Sequence, residues 1–104
     1  MSPMPKRYVL VKIGCDRKLT REQFQEIMDY ATRQYFGELG LSHIDPRLVK
    51  FDAESSTAIL SCERSAASEL EAALTLVTSY AATPMSLLVL RVSGTIKGAS
   101  KGRK

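Results

Sequence analysis

The residues that usually build metal sites are scarce in this chain of 104 residues. It contains two cysteines and a single histidine, His43. Cys15 and Cys62 lie far apart and without the CxxC spacing of a zinc site. Cys62 alternates with Ala58 and Leu60 in an apolar strand pattern, which favours a small buried hydrophobe over a reactive thiol. We therefore expect no metal site.

Long hydrophobic segments are also missing. No run of about 18 apolar residues could span a bilayer, and the first residues lack the apolar stretch of a secretory signal. From these absences we expect a soluble, cytoplasmic protein without membrane contact.

Catalytic motifs are equally absent. The sequence has neither the G-x-x-x-x-G-K-[ST] nor the G-x-G-x-x-G phosphate loop. His43 stands alone in a connection, which favours a surface role over that of a general base. Glu22, Glu26 and Asp29 fall on the outer face of a predicted helix, as solvated charges do. We predict no catalytic residue and no cofactor bound by the protein.

Positive charge is what the chain does have, and it is concentrated at the two ends. Residues 1–18 and 91–104 together hold ten of the 15 Lys and Arg residues but one of the 11 acids. Such segregation favours a polyanionic partner. A basic tail without a specific partner is the alternative that charge alone leaves open.

The apolar pattern predicts alternating strands and helices. Strands are expected at residues 8–13, 47–52, 57–63 and 85–92. A first helix should begin after Thr20, whose spacing to Gln23 is that of a capping box, and end near Gly37 and Gly40. Its expected apolar stripe is Phe24, Ile27, Met28, Ala31 and Tyr35. A second helix is predicted at about residues 65–82.

This order, β-α-β-β-α-β, predicts an α+β fold of the ferredoxin-like or RRM-like kind, a four-stranded antiparallel sheet with both helices on one face. We expect one domain at residues 1–97 and a flexible basic tail at 98–104. RNA-binding domains of this fold stack bases on aromatic side chains of the third strand. Here that strand has no aromatic residue and no RNP1 pattern, so an RNA partner would be held mainly through its phosphates. The apolar outer face of the sheet, to which Leu87 and Val89 are assigned, would then be free to bury against a protein.

Several short motifs, in this order and spacing, resemble the small protein subunit shared by archaeal and eukaryotic ribonuclease P, the protein component 2 family of archaea. The motifs are Lys6-Arg7-Tyr8-Val9-Leu10, Phe36-Gly37-Glu38-Leu39-Gly40, Arg47-Leu48-Val49, Cys62-Glu63-Arg64 and Val92-Ser93-Gly94-Thr95-Ile96-Lys97. The last is the most specific. Ser61 departs from the family, in which a basic residue is common before the cysteine.

The resemblance implies a non-catalytic RNA-binding subunit of a Mg²⁺-dependent ribonucleoprotein that removes the 5′ leader of precursor tRNA. RNA is the catalyst there and uses the Mg²⁺, so the protein would touch precursor tRNA only indirectly. The implied partners are ribonuclease P RNA and a TIM-barrel-type protein subunit, with a homodimer within a heterotetramer as one arrangement. The candidate RNA-binding residues are Lys6, Arg7, Arg64, Arg91, Lys97, Lys101, Arg103 and Lys104.

Two other functions use the same topology. One is a regulatory domain that binds a small molecule and dimerises through its sheet. The other is an acylphosphatase-like enzyme, for which the glycine-rich anion loop near the first strand is missing.

Overall fold

The structure is a computed structural model that describes residues 6–100. Lys101, Arg103 and Lys104 lie outside the described residues. The elements are β1 (Lys6–Cys15), α1 (Arg21–Ile44), β2 (Arg47–Asp52), β3 (Thr57–Glu63), a 3₁₀ turn (Arg64–Ala66), α2 (Ala67–Thr75), β4 (Ser79–Tyr80), β5 (Thr83–Ser93) and α3 (Ile96–Ser100). No helix within residues 6–100 is long and apolar enough to cross a membrane.

The strands form one antiparallel sheet in the order β2-β3-β1-β5-β4. The predicted α+β class is confirmed, but the predicted number of four strands is wrong. The fifth strand, β4, lies inside the segment expected to be helical. α2 ends at Thr75, and Ala81 and Ala82 then adopt positive φ angles of 50° and 66° in the turn to β5. Two consecutive positive φ angles are typical of a tight hairpin turn, which stops the helix short.

The first helix begins as predicted. Thr20 and Gln23 form both hydrogen bonds of the capping box, with N···O distances of 2.9 and 3.1 Å. Its predicted end was wrong, because the chain kinks at Gly37, where φ is 72°, and continues in helical form to Ile44. Gly40 lies inside this second part. A Cβ there would stand 2.3 Å from the Cβ of Phe36, so the absent side chain permits close packing.

The main core lies between the sheet and the first two helices. From β1 it takes Val9, Val11 and Ile13, which alternate along the strand and all face α1 and α2. The expected stripe of α1 is buried from Phe24 to Ala31. The prediction fails at Tyr35, which is 47% exposed.

The third helix packs on the opposite face of the sheet. Ala99 is fully buried there against Leu10 and Ile59. The two predicted helices, α1 and α2, do share one face, but α3 on the other face was not predicted. Residues 98–100 are helical where a flexible tail was expected. The Thr95 hydroxyl accepts a 2.9 Å hydrogen bond from the Gly98 amide and so supports the first turn of α3.

The two cysteines differ in accessibility, which predicts a difference in reactivity. Cys62 is fully buried, and burial raises the pKa of its thiol to about 11, whereas Cys15 is partly exposed. The thiolate is the reactive form. At pH 8 we expect a disulfide reagent to modify one thiol of the native protein within minutes and both thiols in denaturant. Cys15→Ser should abolish the fast phase, and rapid labelling of the native Cys15→Ser protein would contradict the burial of Cys62.

Candidate nucleic-acid interface

The outer face of the sheet, defined as the face on which α3 packs, carries most of the charged side chains of the strands. Leu10 and Ile59 lie on this face because they contact Ala99 of α3. Residues opposite each other in antiparallel strands point to the same face, so the strand register shows which other side chains share the face with Leu10 and Ile59. Five cations and two acids, Glu63 and Asp52, lie on this face. The cations are Lys6, Lys12, Arg47, Lys50 and Arg91.

The helix layer, defined as α1 and α2, has the opposite charge balance. Six acids and two arginines lie on these helices. The acids are Glu22, Glu26, Asp29, Glu38, Glu69 and Glu71. A polyanion would therefore be attracted to the outer face of the sheet and repelled by the helix layer.

Local contacts hold several side chains of the outer face in place. Lys6 forms an ion pair with Glu63 at 3.5 Å, and Lys12 donates a 2.7 Å hydrogen bond to the carbonyl oxygen of Ser55. Asp52 accepts a 3.0 Å hydrogen bond from the amide of Glu54 within the β2–β3 turn. A partly exposed ion pair such as Lys6–Glu63 contributes little to folding, so Lys6 can exchange its partner for phosphate at small cost. The contact of Lys12 is exposed as well and leaves the ammonium group accessible to solvent.

The structure brings the described candidate residues to one end of the sheet. β1 begins there and β3 and β5 end there, because Lys6 pairs with Glu63 and Tyr8 with Ser93. Lys6 and Arg91 lie on the outer face, Lys97 in α3 and Arg64 in the turn after β3. Arg7 belongs to the opposite face, since it pairs with Cys62 of the main core. A Cβ on Gly94 would stand 3.0 Å from an Arg7 guanidinium nitrogen, so this glycine leaves room for the arginine.

The apolar part of the outer face is smaller than predicted. Leu87 and Val89 pair with Ile13 and Val11 and therefore face the helices, which corrects their assignment to the outer face. The register shifts next to Leu90, so simple alternation along β5 does not hold. What remains is the exposed Leu88 and a depression of about 240 Å³ over Leu10 and Ile59, bordered by Lys50.

No group of three or more potential metal-binding side chains occurs within residues 6–100. On helix α1, partial burial raises the pKa of the Asp29 carboxyl above its ordinary value, despite a 3.0 Å hydrogen bond from Gln25. Asp29 lies in the helix layer, away from the basic end of the sheet.

Comparison with known proteins agrees with the motifs in the sequence. The model of the Rpp14/Pop5 family matches residues 7–102, nearly the whole chain. The chain belongs to the Rpp14/Pop5 family. The resemblance identified from the sequence motifs is thereby confirmed.

Curated relatives of this Rpp14/Pop5 chain are archaeal. "Ribonuclease P protein component 2" of Pyrococcus furiosus is 34% identical over 92 residues, which are 88% of this chain and 77% of the relative. The protein of the same name from Methanocaldococcus jannaschii is 33% identical over 94 residues, 90% of this chain and 69% of the relative. Among solved structures, a chain of yeast ribonuclease MRP has the same fold, with a TM-score of 0.74 and 10% sequence identity. The match covers 91% of this chain and 78% of the yeast chain.

The candidate residues from the sequence omit three cations that the Rpp14/Pop5 chain presents on its outer face: Lys12, Arg47 and Lys50. Lys12 lies in the basic segment 1–18 and Arg47 in one of the family motifs, whereas Lys50 is indicated only by its place between apolar residues of a strand. Their common face follows only from the pairing of β1, β2 and β3.

Proposed function

We propose that this chain is a non-catalytic protein subunit of ribonuclease P that binds the catalytic RNA with the outer face of its sheet. In this role it supports the Mg²⁺-dependent removal of the 5′ leader from precursor tRNA in the cytoplasm. The observation that carries the proposal is the separation of charge in an Rpp14/Pop5 chain, with cations on the outer face and acids on the helix layer.

The chemistry of the outer face suits phosphates better than bases. Among its described strand positions Tyr8 is the one aromatic residue, and it packs against the cluster of Leu10, Ile59 and Ala99. Base-stacking modules need exposed rings on the sheet. Lysine and arginine contacts to phosphates instead fix position and shape without reading the sequence.

These contacts also explain how the protein could lower a requirement for Mg²⁺ without binding the ion itself. Folded RNA brings phosphates close together, and either divalent cations or protein cations can offset their repulsion. The Mg²⁺ would serve the RNA. The protein would hold the RNA through the outer-face cations Lys6, Lys12, Lys50 and Arg91 and through Arg64 and Lys97 at the same end of the sheet, with Lys101, Arg103 and Lys104 as further contacts. Arg7, on the opposite face at that end, would add a contact at the rim. The proposed protein partner is a TIM-barrel-type subunit, with a homodimer inside a heterotetramer as one arrangement.

Reconstituted cleavage tests the proposal. With its cognate RNA and the TIM-barrel-type subunit at low Mg²⁺, the chain should raise the rate of leader cleavage, and the gain should shrink as Mg²⁺ rises. In the same system, log Kd for the RNA should increase by roughly 0.7 to 0.9 per phosphate contact for each tenfold rise in salt. Unchanged cleavage at low Mg²⁺ would rule the function out, and a flat salt response would exclude phosphates as the main contacts.

The small-molecule alternative requires a ligand site on the sheet, and the described positions of the outer face offer only a small one. The depression over Leu10 and Ile59 measures about 240 Å³. Typical ligand sites are about 300–1,000 Å³ and present a few converging polar groups.

A further inference from the structure

The helix layer has a surface feature that RNA binding does not use. A groove of about 170 Å³ lies between α1 and the segment that joins α2 to β4. Tyr30 and Tyr35 of α1 form one wall, and Leu76 begins the other. These three side chains are 49%, 47% and 51% exposed. Large apolar side chains grouped in this way on a surface usually mark a contact with another molecule.

Contacts with neighbours fix the shape of the groove. The Tyr35 hydroxyl donates a 3.4 Å hydrogen bond to the carbonyl oxygen of Leu76. The ring of Tyr30 meets the ring of Tyr80 edge to face, with 5.8 Å between centroids. The rings therefore stand in place before a partner arrives, which reduces the entropy lost on binding.

A carboxylate lies on α1 next to the wall that Tyr30 forms. Glu26 lies one helical turn before Tyr30 and accepts a hydrogen bond from the Tyr80 hydroxyl. The same hydrogen bond raises the pKa of Tyr80 above its ordinary value. An aromatic wall beside a negative charge is the usual setting for a cationic side chain.

The charge of the surroundings decides between a protein and an RNA occupant. The helix layer holds six acids against two arginines, and Arg33 is engaged by Glu38 at 2.5 Å. Phosphates would be repelled here, whereas a cationic side chain would be attracted.

We propose that this groove seats an arginine side chain of a partner protein, with its guanidinium against the rings of Tyr30 and Tyr35 and paired with Glu26. Arginine fits better than lysine because its planar group stacks on a ring and still donates hydrogen bonds at its edge. The inference rests on the proposed function in one respect: a subunit that binds RNA with its sheet has its helix layer left for a protein. The chain would then join RNA on one side to protein on the other.

Peptide titration of the isotope-labelled full chain, followed by NMR, tests the inference. The probe is a blocked peptide with one arginine between two leucines, and its control has glutamate in place of the arginine. The arginine peptide should shift the amide signals of Tyr30, Tyr35 and Leu76 and saturate at millimolar concentration, while the glutamate peptide should not. Glu26→Gln should weaken binding about threefold and Tyr35→Leu by a similar factor. Glu54→Gln, which removes the same charge from the β2–β3 turn, should leave binding unchanged.

Equal shifts from both peptides, or an unchanged affinity in both groove variants, would overturn the inference. A separate titration of the same sample with a single-stranded RNA distinguishes it from the proposed function. If RNA shifts signals of the outer face and the arginine peptide has no effect, the arginine site is contradicted and RNA binding by the sheet stands. If the arginine peptide shifts signals of the groove and RNA has no effect on the outer face, RNA binding by the sheet is contradicted and the arginine site stands. RNA shifts at Tyr30 and Tyr35 would contradict both.

Discussion

Reversing three charges on the outer face, Lys12→Glu with Lys50→Glu and Arg91→Glu, should weaken binding of the cognate RNA by about 100-fold. The three side chains share this face and are exposed. At roughly 1 kcal/mol for each lost phosphate contact, the three together cost about two orders of magnitude in Kd. Fluorescence anisotropy at one fixed salt concentration measures the change, and circular dichroism checks that the fold is kept.

One pair of variants distinguishes an effect of where a charge lies from an effect of the net charge of the protein. Lys50→Glu and Arg33→Glu change the net charge equally, but Arg33 lies on the helix layer and pairs with Glu38. We expect Lys50→Glu to weaken RNA binding severalfold and Arg33→Glu to have a much smaller effect. Equal losses would mean that RNA responds to the total charge of the protein and not to the outer face.

Phe24→Ala should cost about 3–5 kcal/mol of unfolding free energy. The side chain is fully buried in the main core, and its ring centroid lies 5.9 Å from that of Phe51. A domain of this size has a total stability of about 5–15 kcal/mol, so the variant should lose between about a fifth and all of its stability. Urea denaturation followed by circular dichroism gives the difference.

The control for this change is Leu39→Ala, since Leu39 is 88% exposed on the second part of α1. Its effect should stay within about 0.5 kcal/mol. A loss below about 1 kcal/mol for Phe24→Ala would contradict the packing of α1 on the sheet.

The elements that could be predicted from the sequence are those with a local cause. The capping box at Thr20 and Gln23 fixes the start of α1 through neighbouring backbone groups. The end of α2 could not be predicted, because Ala81 and Ala82 favour helix by themselves and neither is a usual turn residue. Their positive φ angles belong to the β4–β5 hairpin, whose partner strand is fixed by pairing with β1.

The candidate site shows the same limit. Counting charges indicated the basic ends of the chain, and the structure collects Lys6, Arg91 and Lys97 at one end of the sheet. Lys50 shares the outer face with Lys12 only because β2 and β1 both pair with β3 in a particular register, which joins residues about 40 positions apart in sequence. No local pattern contains that information. The segment of α3 looked like a tail because its one buried side chain is the small Ala99.

The burial of Ala99 determines where the basic residue of α3 can act. Ala99 fixes α3 to the outer face, so Ser100 lies beside the surface that we propose for RNA. The same helix carries Lys97, which is exposed, so the attachment of α3 holds this cation beside that surface. Once an RNA touches the sheet, Lys97 meets it at a high effective concentration, without a separate encounter. A single buried alanine would thus convert the contact of Lys97 from a second binding event into part of the first.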